Sequence, residues 1–99
     1  KLVMNQRGRF KFRLYVAGRA MNAAQASNNL NAFCRTHLSG GCAIEVVDVF
    51  KQPMRALAEG IFMTPTLIKH APGPVIRIVG TLSQPDIVLH ALGLDTVVT

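Results

Sequence analysis

Two cysteines, three histidines and five acidic residues are the side chains through which this 99-residue sequence could do chemistry. Cys34 and Cys42 stand eight positions apart, with Gly40-Gly41 between them. That spacing is neither a redox CxxC nor a zinc pattern. The pair reads as free or buried thiols; a disulfide would need the loop to fold back into bridge geometry. His37, His70 and His90 share no helical or strand spacing with carboxylates. Structural zinc usually takes four converging ligands, so no metal site is expected. Glu45 and Glu59 show no paired-carboxylate pattern. Asp48 closes an apolar run and suits turn capping better than acid–base work. No glycine-rich phosphate loop occurs, so neither ATP nor any other cofactor is expected to bind.

Net charge is +6. Much of it lies in RGRFKFR, where Arg7, Arg9, Lys11 and Arg13 alternate with Gly8, Phe10 and Phe12. Such alternation can meet phosphates. It equally describes the solvent face of a half-buried strand. The second reading is favoured, because Phe10, Phe12, Leu14 and Val16 would then share one buried face. No nucleic acid is expected as partner. Apolar residues make up 49% of the chain, enough for one domain over residues 1–99 with a modest core. Residues 1–9 are expected to be a flexible basic segment. No apolar run approaches the roughly 18 residues of a membrane span, and no signal peptide is visible, which points to the cytoplasm.

The elements follow from periodicity. FKFRLYVA, Phe10 to Ala17, alternates with period two and predicts a strand ended by Gly18. Ala23, Ala26, Leu30, Phe33 and Leu38 fall at helical spacing, predicting a helix from Ala23 to Leu38 with Asn22 as N-cap. CAIEVVDVF, Cys42 to Phe50, is β-branched and apolar and predicts a central strand. PMRALAEG starts with a first-turn proline and stops at Gly60. Thr66-Leu67-Ile68 and Val75 to Val79 read as a hairpin around Pro72-Gly73-Pro74. Met63 is expected to pack beside Pro65. Arg77 reads as an edge charge that deters aggregation. Ser83 is the N-cap candidate of a last helix, followed by Pro85, Asp86 and IVLHALGL.

The order strand, helix, strand, helix, strand, strand, helix places the first two strands parallel through a crossover helix. This α/β arrangement, βαβαββα with a mixed sheet, is thioredoxin-like, and Pro65 takes the place of the proline that precedes the third strand in that fold. Thiol–disulfide chemistry needs a low-pKa cysteine at the start of the first helix. Arg19-Ala20-Met21-Asn22 offers none, and Cys34 lies at the wrong end of the helix.

The segments LYVAG (Leu14 to Gly18), VVDVFKQP (Val46 to Pro53), TPTLIK (Thr64 to Lys69) and PGPVIRIVGTLS (Pro72 to Ser83) resemble the KaiB family over about Phe12 to Leu94. The set is specific; each piece alone is weak. The resemblance implies a non-enzymatic regulator that binds the ATPase ring of KaiC. It implies a metamorphic chain, with a thioredoxin-like binding form and a tetrameric form whose C-terminal half rearranges to βαββααβ. Helix 2 and its neighbourhood would face the ring, which makes Lys51, Arg55 and Lys69 the candidate partner contacts. Pro65, Pro72 and Pro74 lie where the fold would rearrange, and proline isomers interconvert slowly. His90, Ala91 and Gly93 depart from the family's usual apolar residue, glycine and acid. Ala91 favours helix over glycine by about 1 kcal/mol, while Gly93 is expected to weaken the helix late. The balance tilts toward the thioredoxin-like state. A homodimer or homotetramer remains open. A second reading is the KaiC-binding sensor domain of a histidine kinase, which a longer chain past Thr99 would favour.

Overall fold

The computed structural model describes residues 9–39 and 41–94. Four strands and three helices appear: β1 (Phe10–Val16), α1 (Met21–His37), β2 (Cys42–Asp48), α2 (Pro53–Ala58), β3 (Thr66–Ala71), β4 (Ile76–Val79) and α3 (Pro85–Ala91). The order is the expected βαβαββα. The sheet runs β2-β1-β3-β4. β1 and β2 are parallel, with Arg13 opposite Glu45 and Leu14 opposite Val46. β3 is antiparallel to both β1 and β4. Most of the expected flexible segment, residues 1–8, lies outside the described residues; Arg9 is exposed.

Period-two alternation gives the sheet two different faces. One carries Phe12, Leu14, Val16 and Leu67, packed under Ala26, Leu30 and Phe33 of α1 and Val88 of α3. The predicted aromatic face of β1 is therefore buried as expected. The other face carries Tyr15, Val47 and Ile68, packed against Ala56 of α2. Leu14 and Tyr15 are both fully buried, so β1 is central and covered on both sides. Burying one such side chain contributes about 1.5–3 kcal/mol. β2, in contrast, is an edge strand rather than the central strand its composition predicts. Its one neighbour in the sheet is β1, and Val46 stays 49% exposed.

Two predicted caps move. Ala20, not Asn22, is the N-cap of α1, which starts two residues earlier than expected and has no side-chain cap bond. Gln84, not Ser83, is the N-cap of α3, because Pro85 takes the first helical position, where its missing N–H costs nothing. The C-terminal glycines do more than stop helices. Gly60 has φ +67°, donates to Leu57, and is followed by an Ile61 N–H that reaches Ala56 O. Gly93 has φ +72°, donates to His90, and is followed by a Leu94 N–H that reaches Leu89 O. Both are Schellman closures, which satisfy the last helical carbonyls and need a left-handed residue. Gly93 thus completes α3, contrary to the weakening expected of it.

The Thr64–Pro65, Ala71–Pro72 and Gly73–Pro74 bonds are cis. Pro65 is buried, and its carbonyl accepts the Gly80 N–H at 2.9 Å, extending the β3–β4 pairing. Met63, expected beside Pro65, is 62% exposed, and its carbonyl accepts the Thr66 hydroxyl at 2.5 Å.

Candidate partner-binding surface

Chemistry on the α2 face begins with residues that the strand register brings together. Arg13 on β1 sits beside Glu45 on β2, and Nε donates to Glu45 Oε1 at 2.9 Å. Its Nη1 reaches across to Glu59 Oε1, at the end of α2, at 2.7 Å. Arg55, one turn earlier on α2, grips the same Glu45 with two contacts of 2.6 and 2.9 Å. Tyr15 donates its hydroxyl to Glu59 Oε1. His70 Nε2 on β3 lies 3.5 Å from Glu59 Oε2, screened from solvent and without a hydrogen-bond partner among the described residues. Arg77 on β4 donates to the Gly60 and Glu59 carbonyls at 3.0 and 2.7 Å. The expected edge charge is therefore tied to the C-terminus of α2, where a cation complements the helix dipole.

This network spans all four strands and clamps a six-residue helix that is too short to be stable alone. Its electrostatics follow the contacts. Hydrogen bonds from Arg55 and Arg13 hold the Glu45 carboxyl down at about 2. Burial alone would push the Glu59 carboxyl up, but hydrogen bonds from Tyr15 and Arg13 outweigh it and the net shift is down. Burial, followed by the Glu59 carboxylate, pushes the Tyr15 phenol up. Neither acid is poised to exchange protons near neutrality, so the cluster is a clamp rather than an acid–base pair. Sequence spacing offers no sign of it, because Glu45 and Glu59 meet only through Arg13.

Asp48 acts as the sequence suggested. Its Oδ1 accepts the Gly18 N–H at 3.0 Å and the Phe50 N–H at 2.9 Å, pinning the turn before α2. Those bonds lower its carboxyl. The pinned turn presents Phe50, which is 73% exposed, and α2 follows it with Met54 at 72% and Leu57 at 66%. Phe62 and Met63 in the following loop are also exposed. Large apolar side chains exposed in this number over residues 50–63 make this face the candidate interaction surface.

The predicted site residues divide between two places. Lys51 is exposed beside Phe50, at the edge of this surface. Arg55 is on it too, but its guanidinium is engaged by Glu45 and Gln52. Lys69 is not. It is 3% exposed and belongs with Leu67 on the opposite face of the sheet, so its expected role as a surface contact is corrected by strand alternation. There it joins Pro72, Pro74, His90, Ala91 and Gly93 around a cleft of about 420 Å³ between the β3–β4 turn and the end of α3.

The thiols are elsewhere again. Cys34 is buried and Cys42 half-buried, both free, near the far end of α1. Burial, then the hydrogen bond that it donates to Cys42, pushes the Cys34 thiol up. The N-terminus of α1, where a reactive thiolate would be stabilised, holds Ala20 and Met21. Among the described residues no cluster of three or more metal-ligating side chains occurs, and no helix is long and apolar enough to cross a membrane.

The KaiB domain family model matches residues 13–94. The chain belongs to the KaiB family. It is 43% identical over 89 residues to the circadian clock protein KaiB3 of Synechocystis sp., covering 90% of this chain and 85% of that one. It is 42% identical over 92 residues to the circadian clock oscillator protein KaiB of Prochlorococcus marinus strain NATL2A, covering 93% and 84%. Among solved structures it resembles the N-terminal domain of Synechococcus elongatus SasA, with TM-score 0.64 and 20% identity over 92% of this chain and 90% of that one. It also resembles a mutant thioredoxin from Halobacterium salinarum, with TM-score 0.67 and 17% identity over 98% and 84%. Identities this low establish the fold alone. This KaiB-family chain is thus folded in the thioredoxin-like form, without the cysteine that thioredoxin chemistry requires at the start of α1.

Proposed function

We propose that this KaiB-family chain is a non-enzymatic clock or stress regulator that binds the ring of a KaiC-type ATPase through α2 and its flanking loops. The observation that carries the reading is the exposure of Phe50, Met54 and Leu57 on α2 and the turn before it, segments anchored by the Arg13–Glu45–Arg55 and Asp48 contacts. Apolar anchors on a pre-organised segment lose little conformational freedom on binding. Lys51 at the rim contributes attraction to an acidic partner surface rather than central binding energy. A KaiC-type partner places the chain in the cytoplasm. Its relatives are named for the clock, not for catalysis. The βαββααβ tetramer is the state that would compete with binding.

Biolayer interferometry on an immobilised KaiC-type ATPase, with each nucleotide state tested, reads the proposal directly. Saturable binding is expected, weakened roughly a hundred-fold in Met54→Glu, as for a central anchor worth about 2–3 kcal/mol. Lys51→Glu should act mainly on the association rate. Absence of binding in every nucleotide state, or full binding by Met54→Glu, overturns it.

A further inference from the structure

Lys69 presents a physical imbalance on the face away from α2. Its side chain is buried in the sheet, 3% exposed, with Phe12 opposite it on β1 and Ile76 on β4. No carboxylate pairs with it among the described residues. The contact found is the Phe10 ring, with Nζ 5.8 Å from the centroid. A buried ammonium normally takes a counter-charge, because losing hydration is costly. Burial has pushed the Lys69 ammonium down from its ordinary value, as an uncompensated cation should be.

The counter-charge has a place to sit. Lys69 lines the cleft of about 420 Å³ closed by the β3–β4 turn and the last turn of α3. That volume lies within the roughly 300–1,000 Å³ of small-molecule sites. Its other described walls are mostly apolar, including Phe10, Ile76, Leu92 and Leu94, and hold no acid. A cation at the base of an apolar cleft selects one chemical class of occupant: an anionic head joined to an apolar body.

We propose that this cleft is a binding site for a small amphipathic anion, its head on Lys69 Nζ and its body against Phe10, Ile76 and Leu92. This site is separate from α2 and does not depend on the ATPase reading. An occupant bridges the β3–β4 turn and the end of α3. It therefore stabilises the fold in which those segments meet, by preferential binding to that fold.

The test is a titration of the full chain with sodium octanoate below its micelle concentration, followed by amide shifts, the Lys69 ¹³Cε shift and thermal melting. Octanol and acetate serve as controls for body and head. Saturable octanoate shifts at Phe10, Ile76 and Leu92, a moving Lys69 ¹³Cε resonance and a raised Tm are expected. Octanol and acetate should each bind at least roughly ten-fold more weakly, and so should octanoate to Lys69→Met. Octanol matching octanoate, a static Lys69 resonance at saturation, or undiminished binding by folded Lys69→Met each overturns the proposal. Should Lys69→Met not fold, the wild-type ¹³Cε response and the octanol comparison decide it.

Discussion

Replacing Arg13 by Met tests whether charge, rather than packing, clamps α2 to the sheet. Methionine keeps most of the apolar stem that arginine lays on the surface. What is lost is two charge-assisted contacts, to Glu45 at 2.9 Å and to Glu59 at 2.7 Å. The Glu45 side chain is 47% exposed, so screening reduces that pair to about 0–1 kcal/mol. Glu59 is 25% exposed and shares its oxygen with Tyr15, so the second contact is worth about 1.5–3 kcal/mol. The variant should lose about 1.5–4 kcal/mol at pH 7, which lowers Tm by roughly 6–32 °C in a domain of this size. Both carboxyls are lowered in the folded state. Their stabilisation is therefore fully present above the unfolded value near 4.5 and is lost as pH falls, for Glu45 toward about 2. Urea unfolding followed by circular dichroism at pH 7, 5 and 3 should show the wild-type advantage undiminished at pH 5 and reduced at pH 3. An equal deficit at pH 7 and pH 3 would mean that packing, not charge, does the clamping. A deficit below about 0.5 kcal/mol at pH 7 would refute the network's role outright.

Gly93→Ala puts a β-carbon on a residue at φ +72° and should cost about 1–2 kcal/mol, read as a lowered Tm with fraying amide shifts at His90 to Leu92. Both thiols are raised by burial, so a disulfide reagent should label Cys34 and Cys42 slowly in the native chain at pH 8 and fast in denaturing urea. Rapid native labelling would contradict the packing of α1 against β2.

The fold was legible where period and punctuation agree. FKFRLYV alternates cleanly, and β1 follows it; Gly60 ends α2 where it should. Asp48 was readable because one of its two bonds, from the Phe50 N–H, is local; the Gly18 bond is not. What escaped depends on register. Arg13 meets Glu45 because a parallel pairing sets those two positions side by side, and Glu59 joins from α2, none of which leaves a spacing in the chain. Lys69 was misplaced for the same reason: TPTLIK shows that a lysine sits on a strand, but not which of two apolar faces it enters. β2 reads as central because a strand flanked by apolar residues on both sides looks identical whether it has one neighbour or two. The caps of α1 and α3 moved because Asn22 and Ser83 have the right chemistry, while Pro85 in α3 fixes the start by geometry instead.

The last turn of α3 shows how few residues can bias one segment toward helix and away from strand. Ala91 is helical, a gain of about 1 kcal/mol over a glycine there. Gly93 adopts φ +72° and closes a Schellman motif, sparing about 1 kcal/mol that an L-residue would lose. A strand in this segment, as βαββααβ requires, recovers neither gain, since alanine and glycine are both poor strand formers. About 2 kcal/mol in one direction corresponds to a bias of roughly thirty-fold toward helix in this segment. A ligand's apparent affinity falls with the fraction of chains that are competent to bind it. On the proposed reading, residues distant from α2 would thereby set how much of the chain is ready to bind there, and those same residues wall the cleft above Lys69.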